Sequence, residues 1–473
     1  MDSHLPSESH LDAWIDDHRD VIIASTQGLL QIPSVGGPPA PGAPFGVETV
    51  RALNFALSVA GDYGLTTKVL DGYAGHAEWI APGTPADAPI VGVLAHVDVV
   101  PEGDGWKHPP YGAEIDNGLI YARGAIDDKG PAMAALFGMI AVAQSGAPLT
   151  HRLRMILGCD EESGFGCVKH YFEHEEMPAT GFTPDACFPL IYAEKGIANL
   201  TVTRELPVGD SGLRIVSLKA GLRTNMVPEK AVAQIAGDTD GLTGLRQALA
   251  SVADISAAGD DGTITVEARG VSAHGSTPEL GRNAAGILAQ AVLSTGLISG
   301  EHRDFLQTLD RWAMATEGET LGIAGYDDVA GPLSCNLGIV DVDGGQVSLT
   351  FNVRYPVTWQ LDTLTSLLNE GIAGTEYTLS KVSSQGPLYI PLDDPLVTTL
   401  LAVYREQTGD MSEPKTIGGG TYARAMTHGI AFGPEFAGRG GGAHQADENW
   451  PVDDLIAAAK IYAHAILRLA TLK

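Results

Sequence analysis

The sequence predicts an α/β fold, built on a mixed sheet and interrupted by an inserted α+β domain. Three observations predict it. Unbroken apolar runs alternate with helical stretches through the N-terminal part of the chain, as buried strands and covering helices do. From Asn199 to about Ser383 the pattern changes to polar–apolar alternation, as in antiparallel sheet with one solvated face. After Pro387 the first pattern returns. The expected domains are therefore 1–196 with 384–473, and 197–383 as the insert.

In chain order, Leu11, Ile15, Val21, Ile22, Leu29 and Leu30 recur on a helical period, so the first 35 residues read as helical. A Pro/Gly loop runs from Pro33 to Phe45, and an amphipathic helix from Val47 to Ala60. Pro89–Val100 and Leu153–Cys159 are continuous apolar runs, expected as strands buried on both faces. A small-residue helix is expected at Ala132–Ser145 and another within Gly164–His174, with a third strand at Pro184–Ile191. In the insert, LTVTREL, LRIVSL, VAQIAG, TITVEARG and QVSLTFNVRYP read as strands. Helices lie between them at Leu242–Ala253, Ala284–Ser294 and Leu361–Gly371. The returning segment holds a helix at Pro395–Thr408, a glycine loop at Gly418–Gly420 and a closing helix at Asp453–Leu469.

Composition narrows the function. The chain has 473 residues, 44% of them hydrophobic and 18% charged, enough for a large core. Its 29 basic and 58 acidic residues give a formal net charge of −29. So acidic a chain disfavours nucleic acid and anionic membranes as partners and suits metal cations. No basic segment followed by an apolar stretch opens the sequence, and no run of 18 apolar residues occurs, so a cytoplasmic protein without a membrane span is expected. Cys159, Cys167, Cys187 and Cys335 fit neither a disulfide framework nor a zinc ribbon and read as buried free thiols.

Four polar clusters sit where strands end or glycine loops turn. His96-Val97-Asp98 closes the first buried run; residues i and i+2 of an extended chain share a side, so Asp98 can orient the His96 ring. Asp127 and Asp128 lie side by side in a glycine-bounded turn, a costly pair without a cation nearby, although an N-capping pair reads as well. Asp160, Glu161 and Glu162 follow the second buried run, at the strand ends where open α/β sheets bind ligands. His444 follows a glycine run and precedes Asp447 and Glu448. Taken singly, each also reads as an ordinary structural feature. Together they supply the mixed N and O donors that suit Zn2+, with Co2+ or Mn2+ as alternatives.

In order and spacing, HVDVVP, ARGAIDDKG and DEESGFG resemble the strongest motifs of the co-catalytic dizinc aminoacylase, carboxypeptidase, desuccinylase and dipeptidase family. SAHGSTPELGRNAA and GGAHQADE extend the resemblance over essentially the whole chain, and the long insert with GGGTYAR makes it most similar to the PepV-type dipeptidases. The resemblance implies a zinc-peptidase catalytic domain with an inserted lid. Its two Zn2+ would be held by His96 and Asp185 on one side, by Glu162 and His444 on the other, and bridged by Asp127. Asp98 would orient His96, and a cis peptide would follow Asp127. Glu161 would be the general base, taking a proton from a metal-bridging water and passing it to the leaving amine. His274 would serve the oxyanion. Asn225, Arg354, Gly419, Gly420, Thr421 and Arg424 would contact the substrate, although Arg354 alone reads as a surface charge on a strand. The resemblance implies a dipeptidase acting on small peptides, as a monomer with His274 acting in cis; a homodimer is the alternative. An N-acyl amino acid deacylase is the nearest other activity, and a silent metal- or peptide-binding relative a third.

Overall fold

The computed structural model describes residues 8–207, 212–259 and 262–472. The chain forms two compact units. One comprises Met1–Tyr192, Tyr389–Lys415 and Thr421–Lys473, the other Ala193–Leu388 and Thr416–Gly420.

The first unit is α/β. Its sheet runs in the order Thr66–Leu70, Ala74–Trp79, Arg152–Gly158, Ile90–His96, Thr180–Thr183, Gly429–Ala431 and Ile191–Glu194. The centre is parallel and the margins are antiparallel. Ile90–His96 and Arg152–Gly158 are buried at every residue, which is why their sequences are continuous apolar runs rather than alternating ones. Their register pairs His96 with Gly158. Both strands thus end at the same level, and the acidic turn after Gly158 emerges beside His96. Gly158 has no room for a side chain, because a Cβ would lie 1.9 Å from the Tyr422 hydroxyl.

The helix Lys129–Gln144 is buried on all sides and packs on the closing helix Val452–Thr471. The approach is close enough that a Cβ on Gly138 would meet the Ala463 nitrogen at 2.9 Å. Small residues therefore dominate that helix.

The structure corrects several boundaries. The N-terminal helical reading resolves into Glu8–Asp17 and Arg19–Leu30; its first seven residues lie outside the described ones, and the chain leaves the helix before Pro33. The first buried strand stops at His96 rather than Val100. The strand expected at Pro184–Ile191 is a linker: strands lie on either side of it, at Thr180–Thr183 and Ile191–Glu194, and only the two-residue pairing Ala186–Cys187 and a cis Phe188–Pro189 bond lie between. Proline at 184 and 189 removes the ladder donors a strand would need. Thr66–Leu70 and Ala74–Trp79 are strands without an apolar signature, the first largely exposed.

The second unit is an eight-stranded antiparallel sheet, ordered Ile255–Ala258, Thr263–Arg269, Lys230–Ala236, Arg214–Ala220, Ser334–Asp343, Gln346–Tyr355, Gly196–Glu205 and Thr378–Gln385. Burial alternates along Gly196–Glu205 and Lys230–Ala236, as expected for strands with one solvated face. Their inward residues join those of the helices Thr239–Leu249, Ala284–Ser294, Gly300–Met314 and Leu361–Gly371 in one apolar cluster. Ser334–Asp343 and Gly300–Met314 were not anticipated. Among the described residues no helix is long and apolar enough to cross a membrane. All four cysteines are free; three are buried, whereas Cys187 is only half-buried.

Candidate metal centre

The centre lies wholly within the first unit. His96 is the last residue of its strand, and its side chain is 0% exposed. Its Nδ1 lies 3.0 Å from the carbonyl oxygen of Asp98, which can only accept, so in the neutral ring Nδ1 carries the proton and Nε2 the lone pair. That Nε2 has no hydrogen-bond partner and faces two carboxylates, Asp127 at 3.2 Å and Asp185 at 3.9 Å.

Asp98 orients His96 mainly through this backbone carbonyl; its carboxylate stands 3.5 Å from the ring. The carboxylate has another task. Its two oxygens each accept a backbone N–H, one from Glu161 and one from Glu162, both at 3.1 Å. Asp160 ties the same turn from the other side, accepting from the Ser163 hydroxyl and, at 2.9 Å, from the N–H of Gly166 at the start of the next helix. Of the three consecutive carboxylates, Asp160 is thus engaged with the turn, and Glu161 and Glu162 point to the centre.

Asp127 stands between two histidines. Its Oδ1 faces His96 Nε2, and its Oδ2 lies 2.9 Å from Nε2 of His444. His444 also approaches Glu162 at 3.2 Å. Two three-residue groups result, each with candidate donor atoms within 4.8 Å of one another: His96, Glu161 and Asp185, and Asp127, Glu162 and His444. The Asp127–Asp128 peptide is cis. Asp128 does not cap the following helix with its side chain; its Oδ2 accepts the backbone N–H of His96 at 3.1 Å instead.

Two functional residues escaped the sequence reading. Glu448 is fully buried, and its Oε1 accepts the N–H groups of Gly124 and Ile126 at 3.0 Å and of Asp127 at 3.3 Å. Its Oε2 pairs with Arg123, also buried, at 2.6 Å. Glu448 therefore ties the loop of His444 to the loop of Asp127. The visible signals were a glutamate four residues after the loop histidine and the arginine of ARGAIDD. Neither reveals a role exercised through backbone amides.

The electrostatics are those of carboxylates that require cations. Burial, with the charges of Glu162 and Asp127, pushes Glu161 up to about 8. Burial and Asp127 hold Asp185 well above the carboxylate range. Hydrogen bonds to Asp127 and Glu162 push His444 up to about 10. Burial opposes protonation of His96, yet Asp127 and Asp98 hold it well above the usual imidazole range. Clustered buried carboxylates are costly, several kcal/mol each, unless positive charge balances them. The unpartnered Nε2 of His96, aimed among carboxylates, and the two mixed N/O groups sharing Asp127's surroundings fit a pair of divalent cations.

The remaining expected residues divide between the units. His274, Asn225, Arg354, Gly419 and Gly420 belong to the second unit, Thr421 and Arg424 to the first. Nδ1 of His274 receives the backbone N–H of Ser276 at 3.3 Å and lies 2.7 Å from its hydroxyl. In the neutral ring Nε2 then carries the proton and is a donor. Burial and the nearby Arg354 charge hold this histidine below its usual pKa, favouring the neutral ring. The carbonyl of Asn225 accepts the N–H of Gly275, and Met226 pairs with His274. Arg354 is not a surface charge: it is 4% exposed, and its guanidinium donates to Asn352 at 2.9 Å and to the Gly418 carbonyl at 3.1 Å. Thr421 caps a short 3-10 helix, its hydroxyl oxygen accepting the N–H of Ala423 at 3.3 Å.

The model of peptidase family M20/M25/M40 matches residues 92–468. Over 465 residues the chain is 41% identical to a Bacillus subtilis (strain 168) protein named "Putative dipeptidase YtjP", covering 96% of this chain and 98% of that one. The aminopeptidase PepT structure from Bacillus cereus ATCC 10987 superposes with a TM-score of 0.56 at 14% identity, covering 96% of this chain and 99% of that one. Human carnosine dipeptidase 1 does so with a TM-score of 0.54 at 16% identity, covering 98% and 99%. At such identities the two structures show a shared fold.

Proposed function

The chain belongs to peptidase family M20/M25/M40, and from that premise we propose that it is a metal-dependent dipeptidase. The observation that carries the reading is Asp127, whose two oxygens face two different histidines, each in its own donor group. In this reading His96 and Asp185 would hold one cation and Glu162 and His444 the other, with Asp127 within reach of both. Zn2+ is the proposed metal, because imidazole and carboxylate donors suit it. Two such cations supply polarisation of the scissile carbonyl and a lowered pKa for water.

The chain's own residues do the rest. Glu161 is assigned as general base: its carboxylate takes the proton of the attacking water and returns it to the nitrogen of the leaving amine. Asp98 holds Glu161 and Glu162 at the backbone, so the two carboxylates keep separate duties. His274 is assigned as the donor to the oxyanion through its Nε2–H. Asn225, Arg354, Gly419, Gly420, Thr421 and Arg424 are assigned to the substrate. We further read the protein as a cytoplasmic monomer.

Release of amino acids from dipeptides, tripeptides and N-acetyl amino acids tests the activity, with Zn2+-loaded wild type beside Glu161→Ala. Dipeptide cleavage that vanishes in the variant while its metal content matches that of wild type supports both assignments. Turnover of N-acetyl amino acids alone moves the enzyme to the deacylases. Loss of an ion from Glu161→Ala would make Glu161 a ligand instead of the base.

A further inference from the structure

A second set of metal-binding side chains lies outside the centre. The helix Gly166–His174 carries His170, Glu173 and His174 on one face, at the three- and four-residue spacings that bring helical side chains together. One candidate donor atom from each lies within 4.8 Å of the others. An adjoining face, through Cys167, Val168 and Tyr171, is buried, so the backbone beneath the trio is anchored.

Two further observations show the imidazoles arranged as ligands are. Nε2 of His170 is held by the Asp71 carboxylate at 2.9 Å, and Nδ1 of His174 by the His170 carbonyl at 2.8 Å. Each acceptor fixes a tautomer and leaves the other ring nitrogen with a lone pair, and a carboxylate behind a histidine is the usual support of a metal ligand. The His170 ring is also stacked on Tyr73 at 4.0 Å, which restrains its rotation. The two imidazole centroids lie 4.4 Å apart, with the rings inclined by 39°.

We propose that His170, Glu173 and His174 form a third divalent-cation site, specific for the borderline metals Zn2+, Ni2+ and Cu2+. Two imidazoles and one carboxylate select these over Mg2+ or Ca2+. Glu173 and His174 are exposed, so water completes the shell and the ion exchanges freely. The ion clips the last turn of the helix that follows the Asp160–Gly164 turn. The inference does not depend on the peptidase reading.

Tag-free full-length protein is titrated with Zn2+ against a chromophoric chelator, and its Cu2+ adduct is examined by electron paramagnetic resonance. Wild type should bind one more Zn2+ per chain than His170→Ala/His174→Ala, with hyperfine structure from two nitrogens on the added Cu2+. Asp71→Asn, which leaves all three donors in place, should weaken that ion by about 10- to 100-fold. Equal stoichiometry in wild type and the double variant would overturn the proposal, as would a Cu2+ spectrum unchanged by the substitutions. Circular dichroism of each variant separates loss of the site from loss of the helix.

Discussion

The two halves of the metal centre use the same side-chain types in opposite settings. His96 ends a fully buried strand, its side chain is 0% exposed, and Asp98 and Asp128 fix its ring and its backbone. His444 stands on a glycine loop with 53% of its side chain exposed and a backbone φ of 63°, in the left-handed region. One histidine is part of the sheet and the other is brought to it. A ligand can therefore be supplied either by the core, where its loss disturbs the fold, or by a loop, where its loss is local.

Four measurements break or sharpen this contrast. The largest effect is expected where the halves meet. Glu161→Gln should lower kcat by about 10²- to 10⁴-fold with metal content unchanged. Smaller loss would show that another group moves the proton. Next, the two histidines should separate. His96→Ala leaves buried carboxylates without their partner and should cost about 3–5 kcal/mol of stability as well as its ion. His444→Ala should lose its ion and cost clearly less metal-free stability than His96→Ala, because the pairs His444 makes with Asp127 and Glu162 are half exposed to solvent. Equal destabilisation by both would erase the contrast. Third, Glu448→Gln weakens the acceptor for three amides and should lower affinity for the ions by about 10- to 100-fold, as read by chelator competition. Least affected is Asp98→Asn, which should keep both ions and reduce kcat several-fold, because one of two oxygens still accepts from the turn. An unchanged kcat would remove Asp98 from the positioning of Glu161.

The centre was more legible in the sequence than the fold around it. His96, Asp127, Glu161, Glu162 and His444 were readable because each sits in a short polar motif at a strand end or glycine turn, whereas Asp185 sits in no such motif and was offered only by the family resemblance. The supports of these residues were not readable. Asp128 reads as a helix cap and acts on the His96 amide; Glu448 acts through amides more than 300 residues away in sequence. The fully buried strands were legible because burial on both faces demands apolar residues throughout. Thr66–Leu70, an exposed edge, carries no such demand. Pro184–Ile191 misled because its apolar residues pack from an irregular linker, with Phe188 buried among Tyr404, Phe432 and Tyr462. Gly300–Met314 could have been found: His302, Phe305, Leu306, Leu309, Trp312 and Ala313 are its buried residues, at helical spacing.

The link between Glu448 and the amides of 124–127 bears on how such a protein can be re-engineered. The loop that ends the ligand set also grips the loop that carries Asp127, so the two are not interchangeable parts. A chimera that imported a foreign 440–447 segment and broke the register to Glu448 would carry over a histidine and leave its counterweight behind. The natural module for exchange is the whole stretch through Glu448, taken together with Arg123.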